Sequence, residues 1–240
     1  SSGTTINNAK DDAAGNAIAQ GMDSRIRALT QGARNGNDGI SLVQTAESGV
    51  NQSISLLQRM RELASQASTG TYGATDIANI DVEFQALKTE IDRVQSTTEF
   101  NGISVLSGGG IDIQVGSQNS ADDRLTITLA TSDTASLGVD ADDLTTQGNA
   151  QIALDSLESA ITTLTTASAI LGASHSNIEA AVNNNVDRVS KLGAAKSQIM
   201  DTDYAQESSN LAQYQIMQQA GAAMLAQANS SGQIALSLLQ

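Results

Sequence analysis

Apolar residues along this chain follow two different periods, and the switch between them lays out the elements. Ile26, Leu29, Ala33, Ile40, Val43, Val50, Ile54, Leu57 and Ala64 are spaced in alternating steps of three and four, with Gly36, Glu47 and Arg61 in the remaining places. A sustained alternation of this kind is a coiled-coil seam, and some 40 residues at 1.5 Å each make a rod of roughly 60 Å. Asn7 and Asn8 ahead of Lys10-Asp11-Asp12 predict the cap and acidic first turn of that helix. Thr69-Gly70-Thr71-Tyr72-Gly73 breaks it. Thr75 or Asp76 then caps a second helix carrying Ile77, Ile80, Phe84, Leu87, Ile91 and Val94.

The period then falls to two. Phe100-Asn101-Gly102 and Ser107-Gly108-Gly109-Gly110 are turn signals. After them Ile111, Ile113 and Val115 alternate with polar residues, as do Leu125, Ile127 and Leu129, across a polar turn at 116–123. The pattern predicts a β-hairpin with one buried face, near 103–130. Ser132–Gly148 is rich in Asp and Thr and reads as a loop. A third helix from about Asn149 carries Leu154, Leu157, Ile161, Leu164, Leu171, Ile178, Val182, Val189, Leu192 and Ile199. Ser168, His175, Asn185 and Lys196 share its seam, where polar residues cost stability but fix register.

The last segment is different in kind. No charged side chain follows Glu207, and seven Gln alternate with Ala, Leu, Ile and Met up to Gln240. Seven amides have no partner inside hydrocarbon, so a membrane span is not expected. A helix with no charged outer face is expected to bury itself against copies of itself and to be partly disordered until it does. Its apolar positions Leu211, Ile216, Met224, Leu225, Leu236, Leu238 and Leu239 are the candidate polymerisation contacts. The expected organisation is mostly α: an elongated helical rod with one hairpin over residues 1–200, and a C-terminal helical tail over 201–240.

Composition narrows the function. Twelve Lys+Arg against 26 Asp+Glu give a net charge of −14, which repels phosphate and argues against nucleic-acid binding. The chain has no Cys, no Pro, no Trp and one His. Thiolate and two-His metal sites are therefore unavailable, and one imidazole base remains. The absence of Pro suits long uninterrupted helices. His175 has Ser174 beside it but no nucleophile elbow, so it reads as a seam residue. Asp140, Asp142 and Asp143 lack the glycine and terminal Glu of a calcium loop and read as a solvated acidic loop. Gly108-Gly109-Gly110 is followed by no Lys and is not a phosphate loop. Asn51-Gln52-Ser53 and Asn229-Ser230-Ser231 match the glycosylation pattern, which is common by chance. No enzymatic activity, cofactor or metal is expected.

Several separate motifs resemble one family, the bacterial flagellins. Ser1-Ser2-Gly3 and Ala9-Lys10-Asp11-Asp12-Ala13-Ala14-Gly15 resemble the start of its N-terminal region. Asn35-Gly36-Asn37-Asp38-Gly39-Ile40-Ser41 and Leu57-Gln58-Arg59-Met60-Arg61-Glu62-Leu63-Ala64 resemble its first long helix. Glu90-Ile91-Asp92-Arg93-Val94 resembles its second. Ile199-Met200-Asp201, the run Ala223 to Asn229, and Leu236-Ser237-Leu238-Leu239 resemble its end. The family's helix upstream of Ser1 is not in this sequence. Only Ser132–Gly148 stands where its variable outer domains are inserted, so activities grafted onto such domains are not expected.

The resemblance implies a structural subunit that polymerises with itself into the extracellular flagellar filament for motility. It implies an export chaperone, the flagellar type III secretion apparatus and a filament cap as partners. It also implies that the helix surface at Arg59, Leu63 and Glu90 packs against other subunits and is recognised by Toll-like receptor 5. Arg59 and Leu63, four residues apart, are expected on one face, with Leu57 directed elsewhere. The rival readings are a hook–filament junction protein and a flagellin-derived adhesin.

Overall fold

The computed structural model describes residues 3–237, with side chains described as far as residue 228. Its helices are α1 (Ala13–Ala67), α2 (Ala74–Thr97), α3 (Gln147–Met200) and α4 (Tyr204–Ser237). Between α2 and α3 lie β1 (Glu99–Phe100), β2 (Ile103–Ser104), β3 (Gly110–Gln114) and β4 (Arg124–Thr128). The chain divides into two units, Arg25–Ser190 and the terminal segments on either side of it.

Local chemistry sets the ends of the helices. α1 starts later than Asn7-Asn8 suggested, because Asp12 is its cap: Ala14 and Gly15 both donate their N–H to Asp12 Oδ1 at 3.0 Å. Asp11 instead accepts from the Asn7 and Asn8 amides and holds the preceding turn. At α2 the Asp76 carboxylate reaches back from the first turn to the Gly73 N–H, 3.3 Å away. Thr146 caps α3, its Oγ1 accepting from the Asn149 N–H at 3.1 Å.

Within Arg25–Ser190 the seams meet as their spacing predicts. Leu29, Val43, Val50, Leu57 and Ala64 of α1 are buried, as are Phe84, Ile91 and Val94 of α2 and Leu157, Leu164, Leu171 and Ile178 of α3. A second row of α1, including Leu42, Ala46, Met60 and Ala67, is buried beside the first. This helix packs against more than one neighbour, so its apolar face is broader than a two-helix seam. Arg61 lies outside that face and pairs with Glu158 of α3 at 2.6 Å. At Gly36 the helices approach so closely that a Cβ would stand 2.4 Å from Val182 Cγ2.

The predicted hairpin is β3–β4, with Ile111 opposite Ile127 and Ile113 opposite Leu125. A second, shorter hairpin precedes it. β1 and β2 pair across Asn101-Gly102, whose φ values of 52° and 77° are those a type I′ turn requires. Strands of two residues show no period, so only the turn was legible. The loop 132–146 has no regular structure, yet Ser132, Thr134, Leu137, Val139 and Leu144 are buried.

In the terminal unit, the segment at Thr4 forms an antiparallel bridge with Asp201. Thr5 donates its N–H to the Met200 carbonyl at 2.7 Å, and Thr202 donates to the Gly3 carbonyl at 3.1 Å. Lys196 of α3 pairs with Asp23 of α1 at 2.6 Å.

Candidate assembly surface

α4 begins at Asp203, whose Oδ1 accepts the Ala205 and Gln206 N–H groups at 3.0 and 3.2 Å. Beyond Glu207 the helix carries amides, hydroxyls and apolar side chains only. Leu211, Ile216, Met224 and Leu225 are 58 to 70% exposed, and Tyr204, Tyr214 and Met217 are exposed with them. These positions are distributed around the helix rather than along one stripe, the pattern of a helix meant to be covered on several sides. Fully burying a Leu, Ile or Met is worth about 1.5–3 kcal/mol, so this surface holds a large unrealised driving force. Leu236 lies within α4 but its side chain is outside the described set; Leu238 and Leu239 lie outside the described residues.

Arg59 projects from α1 and is occupied within the chain. Its Nε and Nη2 donate to Glu83 Oε1 of α2 at 2.9 and 2.7 Å, and Nη1 donates to Glu62 at 2.9 Å. The hydrogen bond to Glu83 is the main cause of its raised pKa. Leu63 does not accompany it to the surface: only 3% of it is exposed, and it belongs to the core with the fully buried Leu57. Four helical residues advance by 40°, enough to carry Leu63 over the edge of the face. Glu90 bonds Arg93, three residues on, and that hydrogen bond holds its carboxyl below the usual range. The three expected residues are thus an occupied guanidinium, a core leucine and a separate local ion pair.

The acidic loop is a strap clamped onto α2, which its composition did not reveal. Asp92 accepts the Thr134 N–H at 2.9 Å and its hydroxyl at 3.1 Å, and Asp81 accepts the Leu144 N–H at 2.8 Å. Lys88 donates to the main-chain carbonyls of Asp140 and Asp142. Burial pushes the Asp142 carboxyl up against the opposing Ser156 hydrogen bond, and its Oδ2 is buried without a partner. Hydrogen bonds from Asn149 and Thr145 pull Asp143 down. Among the described residues no three of His, Asp and Glu converge as a metal ion would require. Half-buried His175 has no poised serine beside it, because Ser174 donates its hydroxyl to the Ile170 carbonyl at 2.9 Å. Among the described residues no helix is long and apolar enough to cross a membrane.

Known proteins give these surfaces a context. The bacterial flagellin N-terminal helical region matches residues 1–110, and the flagellin C-terminal helical region matches residues 154–239. A flagellin of Halalkalibacterium halodurans is 40% identical over 100% of this chain and 89% of its own length. The 33 kDa flagellar filament core protein of Treponema phagedenis is 37% identical over 100% of this chain and 90% of its own. The crystal structure of Bacillus cereus flagellin is 33% identical, with a TM-score of 0.56 over 63% of this chain and 88% of that one. The chain belongs to the bacterial flagellin family, the structural subunits of the flagellar filament.

Proposed function

We propose that α4 is the element through which this flagellin joins the filament, and that it gains its stable packing only there. The observation that supports this reading is the exposure of Leu211, Ile216, Met224 and Leu225 on a helix with no charge after Glu207. Packing of α4 against copies of itself removes that surface from water and couples ordering to polymerisation. A non-closing contact between identical subunits then extends as a helical filament. The subunit reaches the tip unfolded through the flagellar type III secretion apparatus, escorted by an export chaperone, and is placed beneath the filament cap. Absence of Cys and Pro suits that passage. The protein acts as structure and not as an enzyme.

Sedimentation of the full chain against one ending at Asp203 tests the proposal. The full chain is expected to form rapidly sedimenting polymer and the shortened chain to stay monomeric with an unchanged melting curve. Equal polymerisation by both would overturn it. Limited proteolysis gives a second measure: cleavage beyond Asp203 is expected well before cleavage in α1 or α3, and a tail as resistant as those helices would contradict ordering on assembly.

A further inference from the structure

The chain contains two Asn-Gly pairs, Asn35-Gly36 and Asn101-Gly102, and the fold treats them in opposite ways. In this dipeptide the main-chain nitrogen after the asparagine can reach the side-chain carbonyl carbon with little obstruction, because glycine carries no Cβ.

Asn35-Gly36 lies within α1. Gly36 is buried, and its N–H belongs to the helical hydrogen-bond ladder. Asn35 Nδ2 donates to the Gln114 carbonyl at 2.9 Å, while its Oδ1 accepts from Gln31 at 2.9 Å. The side chain is held at both ends, and freeing the Gly36 nitrogen requires a break inside a 55-residue helix.

Asn101-Gly102 is the turn between β1 and β2, and both residues are exposed. Among the described residues Asn101 is the only non-glycine with a positive φ. The Gly102 N–H is bonded to no carbonyl, and a Cβ on Gly102 would meet nothing within 4 Å. No hydrogen bond among the described residues fixes the Asn101 amide. The strands that the turn joins are two residues each, so opening it costs little.

We propose that Asn101 is a modification site, where the chain converts its own asparagine to isoaspartate with water as co-reactant. The Gly102 nitrogen attacks Asn101 Cγ and a C–N bond forms. The Cγ–Nδ2 bond breaks, and ammonia departs with the proton from the Gly102 nitrogen. Water then opens the five-membered imide. Cleavage of its bond to Cγ gives aspartate; cleavage at the main-chain carbonyl carbon leaves Gly102 attached through Cγ, which is isoaspartate.

The two products differ in their effect on the hairpin. Asp-Gly suits the same turn, so aspartate leaves it closed. Isoaspartate lengthens the backbone by one methylene, which a two-residue turn closing on the Phe100–Ile103 pair does not accommodate. Val105 and Leu106, fully buried, follow directly, so loss of register at the turn loosens this edge of the core. The proposal is independent of what α4 does.

Ageing the full chain in warm, mildly alkaline buffer tests this, natively folded and in urea. Peptide mapping with isoaspartyl methyltransferase labelling then reads positions 35 and 101 separately. The folded chain is expected to carry at least about tenfold more isoaspartate at 101 than at 35, and the urea-unfolded chain similar amounts at both. Equal labelling of the two positions in the folded chain would overturn the proposal. So would an unlabelled position 101 after the unfolded chain has acquired the mark. Asn101→Gly keeps a sequence that the turn accepts and has no side-chain amide. The aged native chain is expected to melt below the fresh one, while aged and fresh Asn101→Gly melt alike. An equal fall in both would place the damage elsewhere and reject Asn101 as its source.

Discussion

The side-chain amide of Asn185, buried in α3, donates to the main-chain carbonyl of Val115, the residue that follows β3, 2.8 Å away. One residue earlier, the Gln114 carbonyl accepts from Asn35 of α1 at 2.9 Å. Two helices thus hold consecutive carbonyls where β3 ends, and Gly32 lets the chain approach there: a Cβ would stand 2.0 Å from the Val115 oxygen. Replacing Asn185 with Leu strands a buried carbonyl, at a cost of about 1–3 kcal/mol. Chemical denaturation of Asn185→Leu should show that loss; equal stability would mean that Val115 finds another donor.

Leu157 of α3 is fully buried and belongs to the core cluster that also holds side chains of α1 and α2. Leu157→Asp forfeits about 1.5–3 kcal/mol of burial and adds a carboxylate to an apolar site. A clear fall in melting temperature is expected. An unchanged thermal transition would place Leu157 outside the core.

Two neighbouring carboxylates of the strap should respond to pH in opposite senses. Asp142 has a folded pKa above its ordinary value of 3.8, owing chiefly to burial. Its contribution is present at pH below that value and is lost as pH rises through the folded pKa, so at neutral pH the ionised group works against the fold. Asp143 is lowered, mainly by Asn149, so its contribution is present above 3.8 and is lost as pH falls through the folded pKa. Asp142→Asn should raise stability at pH 7 and Asp143→Asn should lower it. Melting curves of both variants from pH 3 to 7 check the signs, and two shifts in the same direction would refute this assignment.

Arg59 is the exposed member of the proposed receptor surface. Arg59→Asp places a negative charge against Glu83 and Glu62, its present partners. Activation of Toll-like receptor 5 in a reporter cell should weaken while circular dichroism reports the same helicity. Undiminished activation would remove Arg59 from that surface. Leu63→Ala separates the two roles, because a core leucine is expected to lower the melting temperature first.

The long helices and the β3–β4 hairpin were legible because each repeats one spacing for many residues. The parts that escaped depend on contacts distant in sequence. Leu137, Val139 and Leu144 stand singly among Asp and Thr, and no period marks them as buried. The clamps on them, Asp81, Lys88 and Asp92, occupy polar positions of α2 that look solvent-facing. Arg61 falls on the three–four series by number but is exposed, because the buried face of α1 lies beside it. Of the assembly surface, the uncharged character of α4 could be read directly. The burial of Leu63 and the occupation of Arg59 by Glu83 required the positions of both helices.

Immunogold electron microscopy of source cells, with antibodies raised against this chain, tests membership of the filament most directly. Gold along the whole length of the flagellum is the predicted result. Label confined to the hook end, or to the cell body, would contradict it.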